Sequence, residues 1–188
     1  MTGETEKVVI GAGKWYVTPY TSGAIDFDTV CVEDNLMGYT KGGATITFTP
    51  TTYTIEDDIG MVRKTFQTKG DAEMKTGLLT FTIKSLAALL SVGAVTEKAA
   101  TISENGLVTL KLSGGKTALK RYFVAFVHED DETGLKTFIG MVATNIAPLT
   151  LAFMKDSETV VDMTFNGESN GVDDTMLTIA EETAKTAA

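Results

Sequence analysis

Four short stretches carry residue types that could do chemistry. Gly11-Ala12-Gly13-Lys14 has the small residues and the lysine of a phosphate cradle. A P-loop needs a glycine five residues before the glycine of its Gly-Lys pair, and a Ser or Thr after the lysine. Here Val8 and Trp15 hold those places, so the stretch reads as a plain turn. His128-Glu129-Asp130-Asp131-Glu132 offers carboxylate oxygens of the kind Ca²⁺ prefers. It lacks the spaced acids and glycine of a cation loop, and it falls where a hairpin tip is expected. Glu56-Asp57-Asp58 poses the same question, with ion pairing across a partner interface as a third option. Trp15 and Tyr16 could stack on a base or a sugar, but adjacent aromatics are more often core or interface. Cys31, between Val30 and Val32, is a small hydrophobe, and His128 ends a strand without a cysteine or second histidine to work with. The sequence assigns no catalytic residue, no metal ligand and no cofactor.

Composition narrows the field further. The 188 residues carry 16 basic and 25 acidic side chains, a formal net charge of −9 at neutral pH. The isoelectric point is near 4.6. Such a chain repels phosphates and anionic lipid, which disfavours a nucleic-acid groove or a membrane surface as its partner. One cysteine and one histidine leave no material for an internal disulfide, a Cys-based zinc site or a His-rich metal cluster. Hydrophobic residues at 43% and charged residues at 22% describe a chain that buries a core, and the length suits about one domain. The apolar run Leu86-Ala87-Ala88-Leu89-Leu90 is far short of the roughly 18 residues of a membrane span. Glu4 and Glu6 stand where an export signal would be basic, so synthesis and initial residence in a cytoplasm are expected.

These residues must be held by strands. The chain has about 30 threonines against 3 prolines, and threonine favours the half-exposed surface of a sheet. In residues 44–49, Ala44, Ile46 and Phe48 alternate with Thr45, Thr47 and Thr49. That is the period of a strand with one wet face. The same pattern predicts strands over residues 80–83, 108–112 and 161–165, whereas residues 122–127 and 138–143 are apolar on both faces, as covered strands are. Turn chemistry is expected at Lys41-Gly42-Gly43, Asn105-Gly106, Gly114-Gly115, residues 131–134 and Asn166-Gly167. Eight or nine strands on short loops predict largely antiparallel pairing. Residues 85–92 read as a short helix with Ser85 as N-cap and Gly93 as the stop, packing Leu86, Leu89 and Leu90 onto a sheet. The expected fold is mostly β, an antiparallel β-sandwich or barrel with one short flanking helix.

Two regions are expected to be looser. Residues 56–71 lack clean alternation and carry charges of both signs, which predicts a long charged loop. Residues 171–188 are polar and predict a C-terminal arm after a single domain over residues 1–170.

Taken in order, the features resemble the major tail tube proteins of tailed bacteriophages and of related phage-tail-like particles. The resemblance runs over roughly residues 8–167. Gly13-Lys14-Trp15-Tyr16-Val17-Thr18-Pro19 is similar to that family's first strand. Leu36-Met37-Gly38-Tyr39-Thr40-Lys41-Gly42-Gly43-Ala44-Thr45-Ile46 is similar to its glycine-containing turn into a strand. The charged connection with Glu56-Asp57-Asp58-Ile59-Gly60, the helix and a closing meander follow in the same order.

The resemblance implies a structural protein without catalysis. Subunits of the family form hexameric rings that stack into a hollow tube, and inner sheets join around a lumen that conducts DNA during ejection. It implies as partners further copies of the chain and other tail proteins (tape measure, baseplate or tip, terminator). DNA would pass without binding, and neither a cofactor nor membrane insertion is implied. The location would be the virion tail, assembled in the bacterial host cytoplasm. On this reading Glu56, Asp57, Asp58, Arg63, Lys64 and Lys69 are expected between rings. Thr45, Thr47, Thr49, Thr80 and Thr82 are expected to line a hydrophilic, acidic lumen. The alternative is an extracellular Thr-rich β-sandwich for adhesion or ligand binding, which the missing export signal disfavours.

Overall fold

The computed structural model describes residues 13–23, 26–59, 63–90, 93–116, 118–151, 153, 155–156 and 158–184, with the main chain alone at 41, 42, 84 and 88. The elements in order are β1 (Gly13–Pro19), α1 (Phe27–Val30), a 3-10 turn (Glu33–Asn35), β2 (Leu36–Glu56), β3 (Arg63–Leu78) and α2 (Ile83–Leu89). There follow β4 (Gly93–Lys98), β5 (Leu107–Leu112), β6 (Tyr122–Glu129), β7 (Lys136–Asn145), β8 (Val161–Glu168) and β9 (Thr178–Glu181).

The main sheet runs β6-β1-β2-β3-β8-β7, and β6 also pairs with β7, so six strands close on themselves as a barrel. All pairings among the described residues are antiparallel. β9 joins β7 at residues 137–140, the part of that edge which β8 leaves open. β4 and β5 form a separate two-stranded ribbon.

Alternation sorts the barrel interior. Trp15 and Val17 of β1, Met74 and Leu78 of β3, Tyr122, Val124 and Phe126 of β6, and Met163 and Phe165 of β8 are buried in one cluster. Trp15 is 1% exposed and stacks on Phe165, with Phe126 tilted against it. β6 lacks alternation because its other face is covered too. Phe123, Ala125 and Val127 pack under a second cluster that includes Phe27 and Val30 of α1. A four-residue helix, capped by the Asp26 carboxylate on the Asp28 N–H, thus serves as the lid of one strand.

Several expectations are corrected. Residues 80–83 form no strand. The Thr82 side chain accepts from the Ser85 N–H while Ser85 Oγ accepts from the Thr82 N–H, a capping box that starts α2 at Ile83. The N-cap is therefore Thr82 instead of Ser85, and the helix stops at Leu89 with Gly93 opening β4. Residues 91–92 of the expected helix lie outside the described residues, as do Gly11 and Ala12. Lys41-Gly42-Gly43 is an irregularity inside β2, where the register slips between Lys41 and Ala44. Asn166-Gly167 lies inside β8, where Gly167 lets Ala72 approach within 2.8 Å of where a Cβ would stand. Gly38 has φ +148°, and a Cβ there would collide with the carbonyl oxygen of Thr80. That close approach, and no turn, is what the glycine provides.

Residues 63–71 are not a loop. They are the first part of β3, paired rung by rung with β2. Alternation is masked there because the segment is exposed on both faces and an extra residue interrupts it. The C-terminal segment also carries a strand, β9, so residues 178–181 belong to the main sheet. Residues 185–188 lie outside the described residues.

The Trp15→Ala variant should lose about 3–5 kcal/mol in urea unfolding, since it empties the barrel centre. Tyr53→Ala, at 61% exposure, should stay within about 0.5 kcal/mol of the parent protein.

Candidate functional site

β2 and β3 are far longer than the barrel requires. β2 pairs with β1 only between Leu36 and Tyr39, and β3 pairs with β8 only between Glu73 and Leu78. Beyond these rungs the two strands pair solely with each other, up to Glu56 opposite Arg63. Among the described residues, the outer edges of β2 over residues 40–56 and of β3 over residues 63–72 carry no ladder partner. The result is a two-stranded arm that projects from the barrel with both edges open. Isolated two-stranded hairpins are marginal in water, so the arm depends on its rooting in the barrel or on a partner.

The residues expected between rings all sit on this arm. Glu56 and Arg63 form the last rung, and Asp57 and Asp58 lie in the turn that follows β2. Lys64 stands opposite Ile55, and Lys69 stands opposite Thr51 and bonds the Asp71 carboxylate at 2.7 Å. Thr45, Thr47 and Thr49 are exposed on one face, opposite Lys75, Glu73 and Asp71 respectively. Lys75 pairs with Glu73 at 2.7 Å, so the two acids of this threonine face each have a lysine. The face is hydroxyl-rich and locally neutral, in contrast to the acidic surface expected there. Thr80 and Thr82 lie apart from it. Thr80 Oγ1 accepts from the Tyr39 N–H, and Thr82 caps α2.

The other candidates are taken up by local structure. Asp130 Oδ1 accepts from the N–H groups of Glu132 and Thr133 and from the Thr133 hydroxyl, holding the β6–β7 turn. No group of three His, Cys, Asp or Glu side chains is placed to hold a metal ion among the described residues. His128 is buried near the end of β6. Its strand neighbours Val127 and Glu129 help line a cavity of 570 Å³, together with Lys14, Tyr16, Cys31, Lys136 and Glu182 among others. Burial there pushes the Tyr16 hydroxyl up, and it pushes the Cys31 thiol up to about 11, with the Asp28 charge adding to the effect and Lys136 opposing it. Cys31 is thus a protonated, half-buried thiol.

Sequence reasoning passed over the apolar residues at the arm's far end. Tyr53, Ile55 and Phe66 are about half exposed or more, and Tyr53 stands directly opposite Phe66. Tyr53 and Ile55 continue the period of Thr45, Thr47 and Thr49, and that signal could have found them.

No protein-family model matches this chain, and no curated protein matches it.

With the Cys31 pKa near 11, the thiolate fraction at pH 8 is on the order of 100-fold below that of an ordinary cysteine. Alkylation of the folded protein should be slower than that of the urea-unfolded chain by a similar factor, read by mass spectrometry. Raising the pH from 8 to 10 should speed the folded-state reaction.

Proposed function

We propose that this chain is a structural subunit of a phage-type tail tube, assembled from copies of itself and without catalytic activity. The observation that carries the reading is the arm with two open edges. An unpaired strand edge presents a row of N–H and C=O groups to another strand, and monomeric proteins normally blunt it. Here the edges are long and nearly free of proline, since Pro50 alone interrupts residues 44–56. β2 of one copy and β3 of the next are distinct surfaces, so their pairing is head-to-tail. Such contacts close into a ring when the rotation between copies permits and run into a filament when it does not.

The resemblance in residues 8–167 supports the finer reading of hexameric rings stacked into a tube. Joined arms would form a continuous β-layer whose lumenal face carries Thr45, Thr47 and Thr49. A hydroxyl face with its acids ion-paired gives passing DNA no cluster of cations to bind. Glu56, Asp57, Asp58, Arg63, Lys64 and Lys69 would then meet the neighbouring ring, setting register more than affinity. The tape measure, the baseplate or tip and the terminator are the proposed tail partners, and the virion tail is the proposed location, reached from the bacterial host cytoplasm.

Negative-stain electron microscopy of the concentrated protein should show rings or hollow tubes of one diameter. Replacing residues 52–68 by an Asn-Gly turn should leave the barrel folded, with its thermal midpoint within a few degrees of the parent's, and abolish the tubes. Tubes of normal length from that variant would overturn the assignment.

A further inference from the structure

The arm changes sides along its length. Near the barrel its apolar residues face the core: Ile46 stands opposite Met74 and Phe48 opposite Ala72. Strict alternation along β3 from Met74 and Ala72 would put Phe66 on that same face. The register slips between Thr51 and Thr52, so Thr51 pairs with Lys69, Thr52 pairs with Gln67, and Thr68 is the extra residue. This bulge moves Phe66 to the opposite face, where it joins Tyr53, Ile55 and Lys64. Thr54 and Thr65, bonded through their hydroxyls at 3.0 Å, take the core-side face instead. The far end of the arm is therefore an apolar knob with a lysine beside it, turned away from the side that the arm's root buries.

A matching hollow lies at the root. Phe48, Gln67 and Gly70 of the arm, with Asp174, Met176, Leu177 and Ile179 of the C-terminal segment, line an open groove of 410 Å³. A cavity of about 150 Å³ already admits benzene. The Phe48 ring packs against Gly70, where a Cβ would come within 2.8 Å of it. Asp174 supplies a carboxylate at the wall, and Asp173 precedes it. Hydrogen bonds from Thr175 and Asn170 hold the Asp173 carboxyl below its usual range, so it is charged at neutral pH.

We infer that the knob of Tyr53, Ile55 and Phe66 docks in the groove of Phe48, Met176, Leu177 and Ile179 on a second copy of this chain, with Lys64 meeting Asp174. The occupant is a second copy because the groove's own arm forms its wall with one face and carries the knob on the other. Charge complementarity of one pair points the same way: Lys64 shares the face of the knob, with Glu56, Asp57 and Asp58 beyond it at the turn, and Asp174 lines the groove. Aromatic side chains in an apolar hollow, rimmed by opposite charge, form the usual anchor of a protein interface. The inference goes beyond the tail-tube reading, since it requires only head-to-tail association of two copies.

The test is disulfide trapping in a Cys31→Ser background. Phe66→Cys and Ile179→Cys proteins are mixed under mild oxidation. The mixture should give a covalent dimer at about 10-fold or more the yield of either protein alone. A yield no greater than that of the separate proteins overturns the contact. In sedimentation, Lys64→Glu should weaken self-association about 10-fold, and by much less in an Asp174→Asn background, as coupled residues do. Equal losses in both backgrounds overturn the Lys64–Asp174 pairing. Normal tubes from proteins that fail to cross-link would refute the docking and leave the tube reading standing. Cross-linking without rings or tubes would do the reverse.

Discussion

Backbone hydrogen bonding across β6 is the constraint on which the rest of the structure depends. β6 pairs with β1 on one edge and β7 on the other, so its whole length is satisfied and the barrel has no seam there. Closure fixes which side chains point inward, and it places Trp15 between Phe126 and Phe165 at the centre. It also removes the edges of the barrel, a liability in any open sheet. The open edges that remain on β2 and β3 lie where those strands run past the barrel, and that is where association has its surface.

Much of the barrel was legible in the sequence, for a physical reason. Where one face is wet and the other buried, alternation has a sign, as in residues 44–47 of β2 and 161–165 of β8. β6 was legible by the lack of alternation, because the barrel interior takes one face and α1 covers the other. What covers it was not legible. Phe27 and Val30 carry too short a pattern to announce a helix, and only the tertiary fold brings them over Phe123 and Phe138.

The failures are as informative. Threonine serves both strands and helix caps, and its pattern in residues 80–83 could not distinguish them. Ser85 three residues after Thr82 was the signal for a cap, in the reciprocal form that Ser and Thr allow. The candidate site was legible in its residues but not in its form. Charges of both signs, with no steady period, suggested a loop over residues 56–71, yet much of that stretch is strand. A segment solvated on both faces is under no pressure to alternate, and the residue inserted at Thr68 shifts the phase midway. Tyr53 and Ile55 kept their phase with the threonines, whereas Phe66 could be assigned to its face only from the register.

The short rungs that root the arm carry a mechanical consequence. Hydrogen bonds in an antiparallel pair stand perpendicular to the strands. A pull along the arm loads the β1–β2 and β3–β8 rungs in shear, so they share the force and must yield together. A pull sideways at the tip would open them one at a time, like a zipper. The arm is built to bear tension along its axis and to give way to torque.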